Sequence, residues 1–213
     1  MSTDATQSTV TVAGRATIAI SPDIARIRMV CQATLPSVAD AVAASSAAVA
    51  AVRAALDQHG ISTADAPSGR VSLTAQETWE NNRSRITGYS AEHQVTITVR
   101  DLDAVGTVLA DVIAAAGDHA RLYGVDFLRA DDAQVQARAR AEAFADAHAK
   151  ASEYAQMAGR SLGAVLAIAE SDAVSAAPMP RVKAFAAPMA EAVPVEPGAV
   201  DASAGVTVTW ELV

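Results

Sequence analysis

The chain has 213 residues and carries 24 Asp and Glu against 16 Lys and Arg, a formal charge of -8 with a pI near 4.9. That balance argues against nucleic acid as a partner, because displacing counterions needs clustered cations, and against electrostatic docking on an anionic membrane. A chain this long buries somewhat over ~70% of its unfolded surface without staples, and the single Cys31 allows no intrachain disulfide and reads as a small buried hydrophobe.

No apolar run approaches the ~20 residues a transmembrane helix needs. The opening nine residues lack a basic n-region, an apolar h-region and a cleavage site, so they read as a disordered tail and not as a signal peptide. With Met1 in place, the expectation is a soluble, cytoplasmic protein, or an exported one if a leader has been removed. Aromatics make up only 4% of the chain while Ala abounds, which favours helices packed closely through small side chains.

Residues 10–20 alternate, with Val10, Val12, Gly14, Ala16, Ile18 and Ile20 on one face of a half-buried strand. Gly14 inside it points to a bulge or a close backbone approach. After Ser21-Pro22-Asp23 turns the chain, a second strand places Ala25, Ile27, Met29 and Cys31 inward. A helix then opens at Ser37 and stops at Gly60, with an expected stripe of Val38, Val42, Val49, Val52 and Leu56. Two strands follow at 71–78 and 86–100, joined through Asn81-Asn82. The second sets Tyr89, Ala91, His93, Val95, Ile97 and Val99 on one face.

Asp101 and Asp103 open a second helix closed by Gly117, and a strand at 122–128 leads to a third helix over 132–158, roughly 40 Å long at 1.5 Å per residue. Its expected stripe is Val135, Phe144, Ala147, Ala151 and Tyr154. Strands at 164–169 and 206–212 complete the chain. The order ββα-ββα-βα-ββ predicts an α+β fold, a mixed and mainly antiparallel sheet with helices packed on it. Residues 10–213 read as one domain. Within it, residues 171–200 form a long loop rich in Pro, Ala and Met that cannot continue a helix or a ladder. Met179, Val182, Phe185, Met189 and Val193 make that loop apolar, and it is the expected contact element.

No group of residues forms a catalytic constellation. Gly159-Arg160-Ser161-Leu162-Gly163 fits G-x-S-x-G, but here a helix precedes and a strand follows, the reverse of a nucleophile elbow, and no His lies after Ser161. His59, His93, His119 and His148 lack ligand spacing, so no metal or other cofactor is expected. Asp101/Asp103 and Asp131/Asp132 sit where helix starts want carboxylates. The one candidate pocket lies near Tyr89 and His93.

Val12-x-Gly14 with Pro22-Asp23-x-Ala25, then Thr87-Gly88-Tyr89 leading to Val95-Thr96-Ile97-x-Val99-Arg100-Asp101-Leu102, resemble the SIMPL-domain family, and the likeness runs from about Val10 to Leu212. The resemblance implies the fold and brings no catalytic residues. It also implies assembly and binding, because the family includes bacterial periplasmic immunogenic proteins, some forming large homo-oligomers, and an animal signalling protein associated with a pelle-like kinase. The expected function is therefore non-enzymatic, through self-assembly or a protein partner. One alternative is a small-ligand-binding or weakly enzymatic protein using Tyr89 and His93. Another is a peripheral envelope protein attached through Met179, Phe185 and Met189.

Overall fold

The computed structural model of the chain describes residues 8–80, 83–171, 198 and 200–213. Its elements follow the order read from the sequence: β1 (Thr9–Ile20), β2 (Ile24–Leu35), α1 (Val38–Gln58), β3 (Ser68–Glu80), β4 (Arg83–Val99), α2 (Val105–Ala116), β5 (Ala120–Leu128), α3 (Ala133–Met157), β6 (Leu162–Ser171) and β7 (Val200–Leu212). The protein is α+β, as the pattern predicts. All described strand pairs are antiparallel, and they form two sheets, ordered β1-β7-β6 and β3-β4-β2-β5. Where the sequence reading takes 10–213 as one domain, the chain gathers into two compact units, one around each sheet.

In the unit built on β3-β4-β2-β5, strict alternation decides the core. Ala25, Ile27, Met29 and Cys31 of β2 and Val95, Ile97 and Val99 of β4 turn to the same side and meet α1 and α2. Ser37 caps α1, its hydroxyl accepting from the Asp40 N–H at 3.1 Å. The buried stripe of α1 is Ala41, Ser45, Ala48, Val49, Val52 and Leu56. Val38 and Val42, expected in that stripe, are 40% and 39% exposed. The alanines win the close-packed face because a small side chain lets helix and sheet approach. α1 is long and apolar enough for a membrane span by length and composition, with a mean hydropathy of 1.4, but its apolar face is spent on the sheet.

In the unit built on β1-β7-β6, α3 lies across β1 and β7. Its buried residues are Ala139, Ala143, Ala147, Ala151 and Ala155, a four-residue repeat that makes one face of the helix almost flat. Gly14 resolves as a close approach, because a Cβ there would overlap the Ala143 carbonyl oxygen and sit 2.6 Å from the Ala147 nitrogen. Tyr154, expected in the stripe, is 56% exposed. Trp210 supplies the bulk that the alanines lack. It is 2% exposed, with Phe144 tilted against it at 6.0 Å and His148 edge-on at 6.1 Å.

Candidate functional site

β4 is five residues longer than β2, and that difference creates an arm. The last β2 residue, Leu35, lies opposite Tyr89, so residues 83–88 pair only with the end of β3. A bulge at Thr87 marks where the arm leaves the sheet: Gln76 faces Gly88 while Glu77 faces Ile86, and the Thr87 hydroxyl donates to the Gln76 carbonyl at 3.2 Å. Beyond it Ser84 donates to Glu77 Oε2 at 2.6 Å.

Cross-strand partners share a face, which groups the arm's apolar side chains. Val71 stands opposite His93, Leu73 opposite Ala91 and Ala75 opposite Tyr89, while Ile86 and Trp79 continue the row past the bulge. Trp79 is 73% exposed and Ile86 51%, with Val71 and Leu73 also open to solvent. The sequence-predicted pocket residues therefore sit at the root of this row. Tyr89 and His93 are half-buried on the helix side of β4, and the His93 ring has no hydrogen-bond partner among the described residues. Two hollows found elsewhere do not include them.

One of those hollows, about 410 Å³ and open, lies on the opposite face of the same sheet. Arg28, Ser72 and Glu92 of its lining already have partners. The Glu92 oxygens accept from Gln32 Nε2 at 3.1 Å and from Ser72 at 3.4 Å, Gln32 Oε1 accepts from Arg121, and Arg28 pairs with Asp126 at 2.9 Å. The second hollow flanks β1 in the other unit. There Asp146 Oδ2 accepts from the Arg15 N–H at 2.9 Å and from Lys150 at 2.6 Å, and Lys150 also donates to the Ala13 carbonyl at 3.3 Å. The Lys150 hydrogen bond first, then that of Arg15, holds the Asp146 carboxyl below the usual carboxylate range. Burial pushes the Cys31 thiol up, away from the thiolate form.

The remaining candidate chemistry resolves into structure. Gly159, at φ +65°, ends α3, with Arg160 N–H returning to the Ala155 carbonyl at 2.9 Å, and Ser161 exchanges backbone hydrogen bonds with Val213. Asp101 and Asp131 accept from the backbone N–H groups of Asp103 and Ala133. His59 pairs with Asp111 at 2.8 Å. Among the described residues no three His, Cys, Asp or Glu side chains converge as a metal set.

A family model for SIMPL, a protein of unknown function (DUF541), matches residues 10–210. The chain belongs to the SIMPL family. The 26 kDa periplasmic immunogenic proteins of Brucella melitensis and of Brucella abortus are each 27% identical to it over 176 residues, covering 80% of this chain and 68% of theirs. These relatives are named periplasmic, and they give the cytoplasmic expectation no support. The SIMPL motifs quoted from the sequence lie at structural positions: Gly14 under α3, Pro22-Asp23 at the entry to β2, and Thr87-Gly88 at the bulge that frees the arm. The loop residues Met179, Val182, Phe185, Met189 and Val193 lie outside the described residues. The sequence reading missed Trp79 and Ile86 as members of one surface row. The bulge that brings Ile86 onto the same face as Trp79 is set by pairing and leaves no local sequence mark.

Proposed function

We propose that this SIMPL protein is non-enzymatic, exported, and works through contact with other protein chains, its own copies first. The observation that supports it is the arm. The two-stranded ribbon presents Trp79 and Ile86 to solvent, with Leu73 and Val71 exposed further along the same face of β3, and exposed apolar area of that kind marks protein contact more often than solvation. Aromatic side chains such as Trp79 anchor interfaces because they bring a large apolar area with few rotatable bonds. Export accords with the relatives' periplasmic names.

Light scattering of the full chain over a wide concentration range tests this reading. The expected result is a mass above the 21.8 kDa of one chain. The double substitution Trp79→Ser with Ile86→Ser should lower that mass and leave the melting temperature within a few degrees, since both side chains are exposed. A monomer at every concentration would overturn self-assembly.

A further inference from the structure

The three-stranded sheet has two edges, and among the described residues only one of them is guarded. Leu212 N–H donates to the Ser8 carbonyl, while Val213 and Ser161 exchange hydrogen bonds. By antiparallel alternation, Leu212, Trp210, Val208 and Val206 turn their backbone groups to β1, and their neighbours turn theirs to β6. On β1 the outward groups of Ala13 and Arg15 are taken by Lys150 and Asp146 of α3. On β6 the residues opposite the β1-facing set are Leu162, Val165, Ile168 and Glu170, so their N–H and C=O groups point outward. No described strand pairs with them.

The other sheet guards both its edges. β3 is broken by two register shifts and carries Arg70 and Glu77, and β5 is bulged at Tyr123 between Arg121 and Asp126. Bulges and charges of this kind are how proteins discourage edge pairing. β6 has no charged residue from Leu162 to Ala169, and Val165 and Ile168 are 43% and 60% exposed.

β6 does carry two register shifts, and their placement is the decisive feature. They space the outward residues as Leu162, Val165, Ile168 and Glu170, with Arg160 two residues before the first. Leu162, Val165 and Ile168 are evenly spaced, three residues apart on either side of Val165, while Arg160 precedes the strand. A second copy related by a two-fold axis through Val165 would therefore set Leu162 opposite Ile168, Val165 opposite Val165, and Arg160 opposite Glu170 on both sides. From Leu162 to Ile168 every outward group meets an outward group, and beyond them Glu170, which lies 4.0 Å from Arg140 of its own α3, meets the partner's Arg160.

We propose that the outer edge of β6 is an isologous interface that pairs with β6 of a second copy, joining two three-stranded sheets into one of six strands. This rests on the self-assembly reading and gives it a site. α3 spans β1 and β7 and leaves β6 overhanging, so the pairing also brings the two copies' Val165 and Ile168 side chains together out of water.

Ile168→Pro removes an outward N–H that β7 does not use, and so blocks edge pairing while sparing the monomer's own ladder. Solution mass by light scattering, with circular dichroism to confirm folding, should show the wild type as a dimer or a multiple of one, and Ile168→Pro at half that mass or less. Arg160→Glu sets like charges opposite each other at both ends and should weaken association by about threefold or more, with Arg160→Glu/Glu170→Arg restoring it. This charge exchange decides the question if the proline variant does not fold. An assembled wild type whose mass neither Ile168→Pro nor Arg160→Glu alters overturns the β6 interface and leaves the self-assembly reading standing. A wild type that is monomeric throughout overturns both.

Discussion

Asp146 shows how one side chain can close a strand edge. It accepts from the Arg15 N–H, which faces away from β7, and it is held in place by Lys150 one helical turn on. Because these contacts favour the ionised form, the folded-state pKa lies below the unfolded one. The stability that the carboxylate contributes is thus fully present above the ordinary Asp value of about 3.9 and is lost as pH falls through the folded value. Asp146→Asn should lower the urea midpoint at pH 7, and the gap from wild type should close as the pH is taken below about 4. Denaturation curves at a series of pH values would check this. A gap that holds constant or widens in acid would show that the carboxylate's charge is not what matters at this edge.

At the scale of the element, the helices divide what the sequence disclosed from what it hid. Helix limits were legible because Ser37, Gly117 and Gly159 are caps with a local chemistry. Strand faces were legible because a period of two is unambiguous in β2 and β4. The buried helix faces were not. In a chain this rich in alanine, every side of a helix offers Ala, and the larger Val38, Val42 and Tyr154 drew the stripe towards themselves. Which alanines go inside is decided by how near the sheet can come, and Gly14 beneath Ala143 and Ala147 is the mark of that approach. Two substitutions in α1 test the corrected stripe. Leu56 is 1% exposed, and Leu56→Ala should cost about 2–5 kcal/mol through lost burial and a cavity. Val42→Ala, on the open side, should stay within about 0.5 kcal/mol. Equal losses at the two sites, measured by equilibrium urea unfolding, would restore the stripe first read from the sequence.

At the scale of the whole molecule, the two units are threaded in a particular way. β1, α3, β6 and β7 surround one core, while every described element from β2 to β5 belongs to the other. The described elements of the second unit thus form a continuous run, residues 22–128, between β1 and α3. Its ends lie side by side: Asp23 N–H donates to the Leu128 carbonyl at 3.0 Å, and Ile24 pairs with Leu128. The sequence could not show this, because Ser21-Pro22-Asp23 reads as an ordinary turn between paired strands, while β1 in fact pairs with β7 at the far end of the chain. A segment with its own core and adjacent termini meets the conditions for folding alone. Residues 22–128, expressed as a separate chain, should therefore give a dispersed amide spectrum and a single cooperative urea transition. Among the described residues its core is built from within the run, with Ile27, Ile97, Val52 and Val112 packed in one cluster. A fragment that expresses but unfolds without cooperativity would mean that the second core depends on the first, and that the two sheets are halves of one folding unit.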